Sequence, residues 1–127
     1  VFVGKATMEA AIGDSRVCTV NALSRNLHRG KSANYGRRGR IPGSVNVPYS
    51  ILVDSENHTF LDAASVAASF HEVGADADKR CLVYCGGGIA ASLDAFLMYQ
   101  LGYEDVAIYD ASMSEWARDP SLPMEMG

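Results

Sequence analysis

The sequence predicts a single α/β domain in which helices cover both faces of a parallel β-sheet. The chain has 127 residues, enough for one domain with a substantial core, and its 48% hydrophobic and 20% charged content is ordinary for a globular protein. Short runs of β-forming apolar residues alternate along the chain with segments of helical periodicity. Strands that alternate with helices in one domain form parallel sheets covered on both faces.

The first half of the chain is predicted to hold three short strands and one helix. Thr7 is a candidate N-cap for the helix. Pro42 and Pro48 punctuate the third strand at its two ends. Residues 21–40 have no sustained period and are predicted to form a long loop, which in a compact domain is usually functional or flexible. The strands are residues 1–3, 17–20 and 44–47, and the helix is residues 7–12.

The second half is predicted to alternate two helices with two strands and to close with a short helix. Asp62 or Ser65 would begin the first of these helices, and Gly74 would end it. The helices are residues 61–73 and 89–101, and the strands are residues 82–84 and 106–109. Residues 110–118 are predicted to be loop and short helix around Trp116, and residues 119–127 to lie along the surface.

The stretch from Arg80 to Ser92 carries the strongest functional signal. It places a cysteine and three glycines between a buried strand and a helix. Glycine has no steric bar to positive φ, so successive N–H groups could turn inward around one point beside the helix N-terminus, which favours an anion. A thiol held there should be partly ionised near neutral pH. We therefore predict Cys85 as the nucleophile and a substrate-binding ring of main-chain amides at Gly86, Gly87, Gly88, Ile89 and Ala90.

Positive charge is concentrated in one stretch of an acidic chain. The chain carries 11 Lys and Arg against 15 Asp and Glu, yet residues 15–53 hold seven basic residues and no acidic one. The loop 21–40 and Cys85 both follow carboxyl ends of predicted strands, the edge where α/β folds bind ligands. Such a cluster favours steering of a small anion over nucleic-acid binding. The seven residues are Arg16, Arg25, Arg29, Lys31, Arg37, Arg38 and Arg40.

The three cysteines indicate a reducing compartment. An odd number without regular spacing argues against a disulfide framework, so a cytoplasmic location is expected. Cys18 and Cys81 lie in apolar strand contexts and are predicted to be inert core residues. No signal-peptide pattern and no bilayer-spanning apolar run is found. Because the chain begins with Val1, we expect it to be a fragment of a longer protein.

Three motifs in order resemble the rhodanese family. Residues 39–48 (GRIPGSVNVP) resemble the motif in which His-Ile-Pro-Gly leads into a strand ending in proline. Residues 82–92 resemble the rhodanese active-site loop, and residues 105–116 resemble the segment that closes the domain. Together they are similar to the second, catalytic domain of tandem-domain thiosulfate or 3-mercaptopyruvate sulfurtransferases. The resemblance covers nearly all of residues 1–127 and implies a three-layer fold with a five-stranded parallel sheet.

The resemblance also implies a chemistry and a set of partners. Cys85 would take the outer sulfur of thiosulfate or 3-mercaptopyruvate and become a persulfide. A thiophilic acceptor such as cyanide, a thiol or a thioredoxin-like protein would then remove that sulfur. A second, N-terminal rhodanese domain would accompany this one in the whole protein. No cofactor, metal, nucleic acid or membrane is expected to take part.

Several positions depart from the family pattern. Relatives often have Asp and Arg after the second strand, where this chain has Asn21 and Leu23. The arginine that grips the substrate anion in relatives corresponds to Leu27. We therefore predict Arg37, and after it Arg29, as the anion clamp. A further departure is Arg40, which replaces a common His and is expected to be structural, for example by pairing with Asp110. The Gly-Gly-Gly run matches neither a thiosulfate nor a mercaptopyruvate pattern, so donor preference stays open.

Three other functions can be compared with sulfur transfer. A cysteine-based phosphatase needs an arginine six positions after the cysteine, and this chain has Ala91 there. Gly86, Gly88 and Ala91 satisfy a G-x-G-x-x-A fingerprint, with Asp110 placed for a ribose, but a lone fingerprint is a weak indication of dinucleotide binding. A non-catalytic rhodanese-like module for protein binding or regulation is the main alternative.

Secondary predictions concern histidines, methionines and the closing loop. His28, His58 and His71 have no metal-ligand spacing and are predicted to lie on the surface or in loops. Asp110 and Ser112 could support the active-site loop or serve only in a turn. Three methionines are candidates for a wall near the site, or for packing against Trp116, and these are Met113, Met124 and Met126.

Overall fold

A computed structural model describes residues 2–31, 35–54, 56, 59–86 and 89–127 of the chain. Within these residues, strands and helices alternate as the sequence predicts. The strands are β1 Phe2–Val3, β2 Val17–Asn21, β3 Val45–Asn46, β4 Arg80–Tyr84 and β5 Val106–Tyr109. The helices are α1 Lys5–Ala11, α2 Arg25–Arg29, α3 Ala63–Glu72, α4 Ile89–Gln100 and α5 Ser112–Trp116, and a 3₁₀ turn spans Tyr49–Leu52.

The described strands form one parallel sheet of five in the order β1-β5-β4-β2-β3. The strand β4 lies at its centre, paired with β2 along its whole length and with β5 on the other side. Its residues Cys81 to Tyr84 are fully buried, which fits the continuous apolar run of a strand covered on both faces. The predicted parallel sheet is confirmed, and its central strand is the one that leads into Cys85.

Two apolar cores, one on each face of the sheet, complete a three-layer α/β fold. The first core packs α3 and α4 against the sheet through residues such as Phe70 and Met98. The second packs α1 and α5 against the other face through Met8 and Trp116. Cys18 and Cys81 are buried in the first core as predicted, and burial raises the pKa of the Cys81 thiol to about 12. None of the three cysteines forms a disulfide.

The helix ends agree with the sequence in part. The Asp62 carboxylate caps α3 by accepting a 2.8 Å hydrogen bond from the amide of Ser65, and Gly74 follows the helix with a φ of 83°. The prediction of Thr7 as an N-cap is wrong, because α1 begins at Lys5 after Gly4. Thr7 therefore lies inside the helix.

The long loop predicted for residues 21–40 contains the short helix α2. The hydroxyl of Ser24 accepts a hydrogen bond from the amide of Leu27, and Gly30 ends the helix with a φ of 87°. Such a short helix is too brief to produce a hydrophobic period. Residues 32–34 lie outside the described part of the chain.

The C-terminal tail packs against this loop. Arg40 and Glu125 form an antiparallel bridge, in which each main-chain amide donates a 2.9 Å hydrogen bond to the carbonyl of the other residue. Leu122 is buried, and the indole of Trp116 donates to the carbonyl of Pro123 at 2.8 Å. The tail therefore covers one face of the domain.

No helix in the described residues combines the length and the apolar character that crossing a bilayer would require.

Candidate functional site around Cys85

Cys85 directly follows the central strand β4 at the carboxyl edge of the sheet. Cys85 is only 2% exposed, yet it lines a cavity of about 370 Å³ that opens to solvent. The cysteine is therefore recessed rather than sealed in the core. The other residues of this wall, called here the Cys85 cavity, are Leu23, Tyr35, Tyr49, Gly86, Ala90 and Leu93.

The backbone on both sides of Cys85 is fixed by neighbouring elements. The amide of Ala22, after β2, donates to the carbonyl of Tyr84 at 2.8 Å. The amide of Met113 in α5 donates to the carbonyl of Cys85 at 2.9 Å. Ser114 donates to the carbonyl of Gly86 from both its amide, at 3.0 Å, and its hydroxyl, at 2.6 Å. The entrance of the loop is thus held from β2 and from α5.

Ser112 joins the ends of β4 and β5. Its buried hydroxyl accepts a 3.0 Å hydrogen bond from the amide of Cys85 and donates a 2.5 Å bond to the carbonyl of Tyr109. Its φ of 52° is positive, which a non-glycine residue rarely adopts. Of the two predicted supporting residues, Ser112 contacts the loop, while Asp110 lies exposed.

Gly86 is required for a reason other than the predicted positive φ. Its φ lies outside the left-handed region, whereas a Cβ at this position would collide with the phenol of Tyr35. The glycine thus allows the Tyr35 ring to approach the loop backbone. This close approach makes Tyr35 a wall of the cavity beside Cys85.

The rest of the predicted ring of amides is described only in part. Gly87 and Gly88 lie outside the described residues. Helix α4 begins at Ile89, so its N-terminus follows the loop directly, and Ala90 lines the cavity. Anion binding by the amides of residues 86–90 stays a prediction, supported by the position of the helix N-terminus.

Arg37 is engaged with main-chain carbonyl groups. Its guanidinium donates to the carbonyls of Trp116, Ala117, Asp119 and Leu122 at distances between 2.7 and 3.0 Å. Four of its five N–H donors are therefore used, which favours a structural role in tying the loop to the chain after α5. Arg37 is not part of the cavity wall, and its role as an anion clamp stays a prediction.

Arg29 and Arg40 behave differently from each other. The Arg29 side chain is exposed at the end of α2 and makes no hydrogen bond or ion pair within the described residues, so its role as a clamp also stays a prediction. Arg40 is structural, as predicted, but its partner is Glu125 at 3.2 Å rather than Asp110. Its guanidinium also donates to the carbonyls of His28 and Gly127.

The two described histidines, His28 and His71, differ in exposure. His71 is exposed and pairs with Asp76 at 2.9 Å, while His58 lies outside the described residues. His28 is half-buried, and its Nδ1 accepts a 3.0 Å hydrogen bond from the side-chain amide of Asn21. Burial, with nearby Arg40, lowers the pKa of His28 to about 4. Within the described residues no cluster of His, Cys, Asp or Glu is arranged to hold a metal.

None of these three methionines lines the Cys85 cavity. Met113 is buried and Met124 half-buried in the core that contains Trp116, as one of the predicted alternatives has it. The side chain of Met126, which is largely exposed, lies against Gly30 and Gly39.

Sequence patterns missed a buried carboxyl group on α4. Asp94 is fully buried, and neither carboxylate oxygen has a hydrogen-bond partner among the described residues. Burial raises the pKa of Asp94 to about 8. The signal was present in the sequence, because Asp94 lies three residues after Ala91 and four before Met98, both on the buried face.

A second cavity is larger but has no reactive group on its wall. It measures about 410 Å³ and lies between α3 and α4, bounded by apolar residues such as Phe60 and Leu97 and by Gln100. The described residues of its wall include neither a nucleophile nor a titratable side chain. Of these two cavities, the Cys85 cavity is the one with a cysteine on its described wall.

Comparison with known proteins agrees with this geometry. Residues 24–119 match the family described as the rhodanese-like domain. Over 89 residues the chain is 40% identical to the mitochondrial thiosulfate/3-mercaptopyruvate sulfurtransferase 1 of Arabidopsis thaliana, covering 70% of this chain and 23% of that protein. It is 36% identical over 89 residues to the 3-mercaptopyruvate sulfurtransferase of Escherichia coli, covering 70% and 31%. The chain thus spans between about a quarter and a third of these relatives.

Among solved structures, the fold is similar to that of an anaerobic ergothioneine biosynthesis enzyme from Chlorobium limicola. The TM-score is 0.89 over 98% of this chain and 32% of that one, at 24% sequence identity. A persulfide form of EanB with ergothioneine matches equally well, with a TM-score of 0.89 and 24% identity. At this identity the likeness shows the fold.

Proposed function

The chain belongs to the family of rhodanese-like domains, and we propose that it transfers sulfane sulfur through a persulfide on Cys85. Sulfurtransferase relatives support transferase activity for the family. The observation that carries the proposal is the position of Cys85, recessed at the carboxyl end of the central strand and on the wall of an open cavity. No other cysteine of the chain lies beside that cavity.

The proposed first step transfers one sulfur atom to Cys85. The thiolate attacks the outer sulfur of the donor, a new S–S bond forms, and the bond from that sulfur to the rest of the donor breaks. With thiosulfate the leaving group is sulfite, which takes the electron pair of the broken S–S bond. With 3-mercaptopyruvate the broken bond is C–S, and the enolate of pyruvate leaves and takes up a proton. No external oxidant or reductant is needed.

The second proposed step regenerates the thiolate. A thiophilic acceptor, such as cyanide, a thiol or a thioredoxin-like protein, attacks the outer sulfur of the persulfide, and the electron pair of the S–S bond returns to Cys85. Cyanide would leave as thiocyanate. The backbone around Cys85 is held by β2 and α5, so little reorganisation is required between the two steps. The start of α4 would stabilise the negative charge that develops there.

The wider context is part of the same proposal. We propose a second rhodanese domain as partner in the whole protein, and the cytoplasm as the location because three cysteines outside any disulfide suit a reducing compartment. Ala91, where a phosphatase would carry its arginine, is fully buried in the core. A phosphatase function therefore gains no support.

The test is thiocyanate formation from cyanide with each donor in turn. Cys85→Ser should abolish it, since a serine hydroxyl cannot store sulfane sulfur. Cys18→Ala is the matched control, because Cys18 is buried in the core and away from the cavity. Thiocyanate formation that survives Cys85→Ser would reject the proposal. Absence of turnover in the unmodified chain with every donor would favour the non-catalytic module.

A further inference from the structure

The part of the Cys85 cavity wall that the structure describes carries no Lys, Arg, Asp or Glu. Apart from Cys85 and Gly86, the described residues that line it are apolar or aromatic, namely Leu23, Tyr35, Tyr49, Ala90 and Leu93. Leu23 and Leu93 are half-buried, and each of the two tyrosines adds an aromatic ring with one hydroxyl. A ligand bound beside the thiol would thus meet hydrocarbon and aromatic surface on most sides.

No Lys or Arg among the described residues lines the cavity. Arg37 and Arg40 hold main-chain carbonyls and Glu125, and Arg29 is exposed and outside the cavity wall. Residues 32–34 and 87–88 are Ser, Ala, Asn and two glycines, so by identity they carry no charged side chain. Main-chain amides and the hydroxyls of Tyr35 and Tyr49, all uncharged, are then the donors that the described residues offer an anion at the sulfur.

This composition discriminates between sulfur carriers. A compact dianion such as thiosulfate must lose water on entry, and the described wall offers it no opposite charge in return, only the two tyrosine hydroxyls. An uncharged ring or short hydrocarbon chain gains from leaving water, by about 25 cal/mol for each Å² buried. The volume of about 370 Å³ is within the range of small-molecule sites.

We propose that the Cys85 cavity selects sulfur carriers with an uncharged, apolar or aromatic body, which makes Leu23 and Tyr49 specificity-determining residues. This inference rests on the proposed function of Cys85. It ranks an aromatic thiol first as acceptor, and places 3-mercaptopyruvate above thiosulfate as donor because its charge lies away from the reacting sulfur.

The exchange with such a carrier balances without any further reagent. The thiolate of the carrier attacks the outer sulfur of the Cys85 persulfide and forms a new S–S bond. The S–S bond to Cys85 breaks, and its electron pair leaves Cys85 as a thiolate. The carrier departs as a persulfide, and the reverse reaction makes the same carrier a donor.

The test separates loading from discharge. Cys85 is loaded with inorganic polysulfide, and intact mass spectrometry then follows the loss of the added sulfur to phenylmethanethiol or to mercaptoacetate at matched thiolate concentration. We expect phenylmethanethiol to discharge the persulfide at least about tenfold faster than mercaptoacetate, once rates are normalised to those with free cysteine persulfide. Equal or reversed rates would overturn the inference while leaving the proposed function intact.

Two variants place a cation on the cavity wall. Leu23→Arg should narrow or reverse the preference by favouring mercaptoacetate, and Tyr49→Arg should do the same at a position that is 45% exposed and tolerates a long side chain. Tyr99→Arg adds the same charge on the outer face of α4, where the residue is 73% exposed, and should leave the preference unchanged. If both cavity variants fold and keep the original preference, the inference is wrong. If the unmodified chain never acquires the sulfur, the proposed function itself fails.

Discussion

The main-chain amide of Cys85 donates a 3.0 Å hydrogen bond to the hydroxyl of Ser112. The same hydroxyl donates to the carbonyl of Tyr109, so one serine couples the first residue after β4 to the last residue of β5. Ser112 holds a positive φ to do so. Such strain persists only where the surroundings over-determine it, and here it fixes the residue that would carry the sulfur.

Removal of the Ser112 hydroxyl should loosen the active-site loop. Ser112→Ala removes the hydrogen bond that the amide of Cys85 donates to the serine hydroxyl, and should cost about 1–3 kcal/mol in the free energy of unfolding, with slower persulfide formation. Ser112→Gly loses the same bond but relieves the positive φ, and should be less destabilised. Urea denaturation and the rate of sulfur loading measure the two effects. An unchanged rate of sulfur loading in Ser112→Ala would show that the Ser112 hydroxyl does not support the reaction at Cys85.

Replacement of Arg37 should lower the free energy of unfolding and leave the KM for the sulfur donor largely unchanged. Arg37→Lys keeps the charge but cannot serve four carbonyls, and should lower the free energy of unfolding by about 2–4 kcal/mol. Arg38→Ala is the control, since Arg38 is exposed. A stable Arg37→Lys variant with a raised KM for the donor would instead support the anion-clamp prediction. Arg29→Ala, at an exposed position, tests that same prediction with no expected loss of stability.

A methyl group at position 86 should collide with Tyr35. Gly86→Ala should be destabilised by about 1–3 kcal/mol, because its Cβ would occupy the volume of the phenol. Tyr35→Ala in the same chain should recover much of that loss, so the two changes should be strongly non-additive. Thermal unfolding of the four species measures the coupling. Additive losses would mean that the ring does not restrict this position.

The stability of the domain should fall as pH rises from 6.5 to 8. Burial raises the pKa of Asp94 to about 8 in the folded state, against an ordinary value of 3.8. The stability that comes from its neutral form is therefore fully present below pH 3.8. That stability is lost as the pH rises through 8, because the folded state must then bury a charged carboxylate. His28, whose pKa is lowered to about 4, opposes this below its ordinary 6.5, because the folded state resists its protonation. Between pH 6.5 and 8, the raised pKa of Asp94 lowers the stability with no opposing effect from His28.

The measurement is the free energy of unfolding in urea across that window. A slope of about 1 kcal/mol per pH unit is expected for the unmodified chain, and Asp94→Asn should flatten it. Asp110→Asn removes an exposed carboxylate and serves as the control. A slope that survives Asp94→Asn would assign the pH dependence to another group.

Much of the fold and the position of the nucleophile follow from local pattern. The run at β4, the helical period after Ile89 and the cysteine between them are short-range signals, and the structure places them as predicted. The role of Arg37 could not be predicted in this way. Its acceptors are main-chain carbonyls 79 to 85 residues away, and a carbonyl has no sequence signature.

Sequence patterns missed two other features for different reasons. The reason for Gly86 is a ring that approaches from another part of the chain, so a glycine-rich run alone suggested positive φ instead. Asp94 breaks the rule that a buried helical face is apolar, and periodicity treats such a residue as a surface position. The amide ring at residues 87–88 lies outside the described residues and stays a prediction.

The most direct measurement locates the transferred sulfur. The chain is incubated with 3-mercaptopyruvate, separated from excess donor, digested without reductant and examined by peptide mass spectrometry. We expect one added sulfur on the peptide that contains Cys85, its loss on addition of cyanide, and none on the peptides that contain Cys18 or Cys81. Sulfur found on either of those buried cysteines and not on Cys85, or on no peptide at all, would contradict this expectation.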